Sequence, residues 1–156
     1  MLSHLKDEAS DVRSSTAAAL GRLSDGRAVS PLLNLLTDEA HEVRRGAATA
    51  LGRLSDGRAV GPLLDLLTDE AHEVRKSAAA ALGRLSDGRA VGPLLDLLTD
   101  EATVRRSAAS ALGRIAASTP VPELPRIVRE LLDEVGEATQ AERGAIVEDL
   151  LASPAF

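Results

Sequence analysis

Two adjacent His-Glu pairs, His41-Glu42 and His72-Glu73, and several arginines recurring at equal intervals are the groups in this chain best suited to chemistry. An imidazole beside a carboxylate can ligate a transition metal. The pair is lost at Thr103, however, and replaced by Ser10-Asp11 near the start. A carboxylate in the first turn of a helix also complements the positive end of the helix dipole, a role that suits Glu42 and Glu73. Ser and Asp are plentiful, but no His shares a helix face with a Ser nucleophile, and no Gly-rich phosphate loop stands between a strand and a helix. The chain has no Cys, which removes thiolate ligands, cysteine nucleophiles and disulfides. No catalytic, metal-ligating or cofactor-binding residue is assigned, and the expectation is a non-enzymatic protein without a cofactor.

The arginines need a scaffold to bring them together, and an internal repeat supplies it. The segment LGRLSDGRAVGPLLDLLTDEA occurs unchanged at 51–71 and 82–102, with a close copy from Leu20 that differs only at Ser30 and Asn34. Val12, Val43, Val74 and Val104 mark successive units at intervals of 31, 31 and 30 residues. A fixed period of this size is the signature of a solenoid.

Within one unit, Val43, Ala47, Ala50, Leu51 and Leu54 recur at spacings of three and four, one stripe of an α-helix. Val60, Leu63, Leu64 and Leu67 do the same in a second helix. Between them Ser55-Asp56-Gly57 supplies a stop and a start. Gly57 is expected to take the left-handed conformation that ends the first helix, and Asp56 or Ser55 to cap the second. Pro62 falls in the first turn of that second helix, where a missing amide hydrogen costs little.

Each unit is thus a helical hairpin, and only stacked neighbours bury both stripes. Gly52, Gly83 and Gly113 lie inside helices, at about 1 kcal/mol each relative to Ala, which suggests close approach of a neighbouring helix. Arg44, Arg75 and Arg105 stand beside the core valines and are expected to pair with Asp38, Asp69 and Asp100 as a structural ladder.

Helical geometry places Glu42, Arg45, Gly46, Thr49 and Arg53 opposite the buried stripe, with Glu73, Lys76, Ser77, Ala80 and Arg84 as counterparts in the next unit. The last unit contributes Arg106, Ser107, Ser110 and Arg114. Stacking turns these into rows separated by about 8–10 Å. One row is Arg22, Arg53, Arg84 and Arg114; another is Arg45, Lys76 and Arg106, beginning with Ser14.

The ends depart from the pattern. Leu2 and Leu5 align with Leu33 and Leu36, so residues 1–10 read as half a repeat with an exposed apolar edge, which implies self-association or a longer parent. Repeats occupy 11–117. Residues 118–156, with Pro120, Pro122 and Pro125 ahead of two further apolar stripes, read as a divergent helical cap of the same single domain.

Composition narrows the function. The net charge of −6 and the near-absence of aromatic residues argue against nucleic acid. The charged N-terminus is no secretory signal, and no apolar run reaches the ~20 residues of a membrane span, so a cytoplasmic protein is expected.

The string VRRGAATALGRLSDGRAVGPLLDLLTDE resembles the HEAT-like repeat family associated with phycobilisome lyases. That family's pattern is Val-Arg, then small residues, Ala-Leu-Gly, and Asp-x-Arg-Ala-Val-x-Pro-Leu; the match runs from about Asp11 to Ala116. The resemblance implies an all-α, right-handed, armadillo-like α-solenoid of stacked helical hairpins whose Val-Arg helices line the concave side. Metal hydroxylases of the superfamily carry His-Glu directly after Val-Arg. Here those positions read Arg45-Gly46 and Lys76-Ser77, and the cations would repel a metal.

The resulting expectation is a protein-interaction scaffold. Its cationic concave groove would hold an acidic peptide or protein surface, through Arg22, Glu42, Arg45, Thr49, Arg53, Glu73, Lys76, Arg84, Arg106, Ser110 and Arg114. The resemblance also admits an accessory subunit of a bilin-lyase-like complex, and the near-identity of the units admits a consensus-like array without a specific ligand.

Overall fold

The structure, a computed structural model, describes residues 2–118 of the chain. The expected C-terminal cap lies, from residue 119 onward, outside the described residues. After a 3₁₀ turn at Leu2–Lys6 come α1 (Ser10–Leu23), α2 (Val29–Asn34), α3 (His41–Leu54), α4 (Val60–Asp65), α5 (His72–Leu85), α6 (Val91–Asp96) and α7 (Ala102–Ser118). The architecture is the expected all-α solenoid of helical hairpins. Helices α1, α3, α5 and α7 stack side by side along most of their length. The second helices α2, α4 and α6 form a second layer that packs on this stack and hardly on itself.

The second helices are shorter than their apolar stripe suggested. Each is an α-helical turn and a half between two 3₁₀ turns, for example Gly57–Ala59 before α4 and Leu66–Thr68 after it. Pro62 lies in the first turn of α4, as its missing amide hydrogen requires. The core runs as one cluster from Leu5 to Ile115. Val43, Leu51, Leu63, Val74, Leu82, Leu94, Val104 and Leu112 are all fully buried.

The seams between first helices are thin. A Cβ on Gly52 would stand 2.7 Å from the Cβ and 2.8 Å from the Cα of Ala81, and one on Gly83 would stand 2.7 Å from the Cα of Ala111. Gly21 meets Ala50 in the same way. Backbone, not a flexible tip, occupies the space, so only glycine admits these contacts.

The turn inside each hairpin corrects one expectation. No described glycine has a positive φ; the left-handed residues are Ser24, Ser55 and Ser86, with φ of 53°, 53° and 51°. Ser55 ends α3 with its N–H donating to the Leu51 carbonyl. Gly57 instead opens the 3₁₀ turn, whose cap is Asp56: its Oδ1 accepts from the Arg58 amide at 2.9 Å.

A charged ladder runs through the turns between hairpins. Arg13 meets Asp38, Arg44 meets Asp69 and Arg75 meets Asp100, each through two hydrogen bonds of 2.8–2.9 Å across 25 residues. The sequence reading named these three aspartates, but each takes the arginine of the unit before it, so the ladder starts at Arg13 rather than Arg44. Arg105 donates to the carbonyl of Asp100 at 3.1 Å.

The single missing residue before Val104 is absorbed in this last turn. Val104 remains fully buried and Gly83 keeps its contact with Ala111.

Candidate functional site

Sorting the cations by their partners separates structure from surface. Arg13, Arg44 and Arg75 are spent on the ladder. Arg27, Arg58 and Arg89 are held by Asp25, Asp56 and Asp87, two residues earlier, at 2.7–2.9 Å. These short pairs hold the Asp56 and Asp87 carboxyls down to about 2, through the side-chain and backbone hydrogen bonds of the following arginine. Lys76 reaches Glu73 at 3.7 Å. In contrast, Arg22, Arg45, Arg53, Arg84, Arg106 and Arg114 form no ion pair with a carboxylate of the described residues.

These arginines are exposed on the first helices, and part of the expected groove forms around them. Arg53, Arg84 and Arg114 line a depression of about 660 Å³ floored by Gly52 and Gly83 and closed by Ser55, Ser86, Ala117 and Ser118. Gly52 and Gly83 lie beneath it, their vacant side-chain positions taken up by Ala81 and Ala111 of the adjoining helix. The Cδ of Arg114 lies 3.5 Å from where a Gly83 Cβ would be, so its stem leans over the seam toward α5. A smaller hollow of about 190 Å³ adjoins it, lined by Ala80, Arg84, Arg106, Ser107, Ser110, Ala111 and Arg114. Arg84 and Arg114 border both.

Other expected groove residues stand apart from these hollows. Glu42 and Glu73 lie in the first turns of α3 and α5. Their neighbours His41 and His72 reach them at 3.2 Å, and His72 also approaches Glu101 at 3.7 Å. Thr49 is half-buried, and its hydroxyl donates back to the Arg45 carbonyl at 3.0 Å. Gly46 does not face outward: a Cβ there would lie 3.1 Å from Ser14 Oγ, which itself donates to the Glu42 carbonyl. Arg45 and Arg22 are exposed without lining either hollow. Among the described residues no group of three His, Asp or Glu side chains is arranged to hold a metal ion.

Sequence reasoning did not single out the serine turns as a wall of the hollow, nor Arg27, Arg58 and Arg89 as neutralised cations. The latter carried a readable signal, an arginine two residues after a capping aspartate.

At the opposite edge, Leu2, Leu20, Leu23 and Ala28 line a largely apolar hollow of about 450 Å³. Leu23 is 62% exposed and Val12 37%, although Val43, the counterpart of Val12, is fully buried. Among the described residues no helix is long and apolar enough to cross a membrane.

Comparison with known proteins agrees with this architecture. Over 98% of its length the chain superposes on the complex of CpcE and CpcF of phycocyanin lyase from Nostoc sp. PCC7120, with a TM-score of 0.75 at 24% identity. It spans 64% of that chain. An engineered protein matches with a TM-score of 0.67 at 25% identity, over 97% of this chain and 76% of its own. A designed armadillo repeat protein matches with a TM-score of 0.63 at 22% identity, over 99% of this chain and 87% of its own. No curated protein sequence matches the chain. The HEAT repeats family matches residues 1–82 and 60–143, which together span most of the sequence. With hairpins, thin seams and charged ladder all repeating at that period, the chain belongs to the HEAT repeat family.

Proposed function

We propose that this HEAT repeat solenoid is a non-enzymatic scaffold that docks an acidic peptide or protein surface along its first helices, with Arg53, Arg84 and Arg114 as anchors and Arg106 and Ser110 beside them. One observation carries the reading. The loop arginines and ladder arginines have carboxylate partners, whereas the row bordering the 660 Å³ hollow has none among the described residues. Guanidinium groups left open along a hollow suit bidentate capture of carboxylates. The close stacking of the first helices, against the sparse contact between second helices, supports placing the row on the inner, concave side.

The test is a titration with poly-glutamate. Wild-type protein should bind it, and raising salt to about 0.5 M should weaken binding strongly, since these contacts are exposed to screening. The double variant Arg53→Glu/Arg84→Glu should lose binding with its helical circular dichroism intact. Binding that ignores both salt and charge reversal would refute the groove.

The apolar edge supports a second contact, between copies of the chain through Leu2, Val12 and Leu23. Sedimentation over a range of concentrations should show association that Leu23→Lys abolishes. A monomer at all concentrations would remove this contact.

A further inference from the structure

We infer that the joint between α5 and α7 holds a phosphomonoester dianion, bound by Arg84, Arg106 and Arg114 with Ser107 and Ser110; this rests on the acidic-groove reading above. These five side chains line one hollow of about 190 Å³. Sites for drug-sized molecules run to about 300–1,000 Å³, and a water takes about 30 Å³ of the liquid. The hollow therefore has room for one small anion and a few waters. Helix α7 supplies Arg106, Ser107, Ser110 and Arg114, and α5 supplies Arg84 from across the seam.

The last unit departs from the others at the positions that build this hollow. Thr103 stands where Glu42 and Glu73 stand in the earlier units, Arg106 where Lys76 does, and Ser110 where Thr49 and Ala80 do. Lys76 reaches Glu73 at 3.7 Å, whereas Arg106 has no carboxylate one turn before it. Glu101, in the turn ahead of α7, accepts from the Thr103 hydroxyl at 3.1 Å and approaches His72 at 3.7 Å instead. Thr49 spends its hydroxyl on the Arg45 carbonyl, while Ser107 and Ser110 keep theirs unbonded among the described residues. Each change leaves a donor open toward the same small space.

That donor set exceeds what a carboxylate can use. One guanidinium fork satisfies both oxygens of a carboxylate and balances its single charge. Three forks and two hydroxyls suit a phosphomonoester, which brings about −1.5 to −2 of charge near pH 7 and three strongly accepting oxygens. The preceding joint offers no equivalent, because Lys76 is paired and Ala80 has no hydroxyl.

Two fluorescent peptides of equal length and nearly equal charge test the assignment by anisotropy: Glu-Ala-phosphoserine-Ala-Glu and Glu-Glu-Ala-Glu-Glu. The phosphopeptide should bind wild-type protein about tenfold more tightly. Arg106→Gln/Ser110→Ala should erase that preference with native circular dichroism. Arg45→Gln, which removes an equal charge from the same row two units away, should leave it. Inorganic phosphate, exchanged for chloride at constant ionic strength, should shift the Arg106 and Arg114 Nε–H signals in proton–nitrogen spectra. If the two peptides bind alike and phosphate shifts nothing, the phosphoryl site is wrong while the acidic groove stands. A preference that survives the double variant also overturns the site. If phosphate shifts these signals but neither peptide binds, the dianion site holds for a free phosphorylated small molecule and the peptide groove falls. If neither phosphate nor peptide binds, both fail.

Discussion

Arg44 grips Asp69 from the far end of a 25-residue separation, its Nε and Nη2 donating to the two carboxylate oxygens at 2.8 and 2.9 Å. The same guanidinium turns Nη1 back to the carbonyls of Asp38 and Glu39, at 2.8 and 3.0 Å. One side chain therefore fastens the turn before its own helix to the turn before the next. Asp69 Oδ1 in turn accepts from the Ala71 amide and holds the start of α5. Both side chains are about nine-tenths buried. Removing one partner of such a pair strands the other, a loss of about 3–5 kcal/mol. Arg44→Met should lower the unfolding free energy by about 3 kcal/mol in urea denaturation. Arg44→Lys, which keeps the charge but not the fork, should fall between the two.

Gly52 should reject even a methyl group. Alanine is favoured over glycine inside a helix by about 1 kcal/mol. Here its Cβ would overlap the backbone of Ala81, and overpacking of this kind costs about 1–3 kcal/mol. Gly52→Ala should therefore lower the melting temperature, and adding Ala81→Gly should restore part of the loss. A stabilising Gly52→Ala would mean that the helices can move apart freely.

The serine turns make the opposite prediction. A non-glycine residue in the left-handed region is strained by about 1–2 kcal/mol. Ser55→Gly should stabilise the hairpin by about 1 kcal/mol, offset in part by the greater freedom of glycine when unfolded. Gly57 has neither a positive φ nor any atom within 4 Å of a Cβ position. Gly57→Ala should therefore add about 0.4–1 kcal/mol. Thermal melts of the two variants check both signs.

Acid should open the solenoid through its aspartates. Arg13 draws the Asp38 carboxyl below the ordinary value of 3.8, and Arg75 does the same to Asp100. At Asp69 burial pushes upward, but the hydrogen bonds from Arg44 and the Ala71 amide leave it lowered as well. A carboxyl lowered in the folded state stabilises above its unfolded value and ceases to as pH falls through the folded one. Stability should be level above pH ~4 and decline between about 4 and about 2, the latter being where Asp56 and Asp87 titrate. Asp69→Asn should blunt that decline in a pH series of urea midpoints.

The period made most of the fold readable before any coordinates. Valines 31, 31 and 30 residues apart fixed the hairpins, and arginines beside them pointed to the ladder between turns. What stayed hidden was local. Ser55, Asp56 and Gly57 are each competent turn formers, and composition does not say which one takes φ of 53°. The stripe of α4 could not reveal its 3₁₀ ends, because Leu66 and Leu67 are apolar and buried in either geometry. Of the expected groove, Arg53, Arg84, Arg106, Ser110 and Arg114 share two adjoining hollows. Arg45 and Arg22 do not, since helical periodicity gives the direction of a side chain but not the relief of the surface around it.

The seams at Gly21 on Ala50, Gly52 on Ala81 and Gly83 on Ala111 are interchangeable parts. Excision of residues 43–73, one whole period, would lay α1 against α5 and offer Gly21 the same alanine backbone it meets now. Ser14 would keep the Glu42 carbonyl, now preceding Val74, but would face Ser77 in place of Gly46, where a Cβ comes within 3.1 Å of its Oγ. Gain or loss of a unit in the gene would then lengthen or shorten the molecule while reusing the same glycine-on-alanine contact. Evolution could set the reach of such a protein by counting units, leaving each glycine-on-alanine joint as it was.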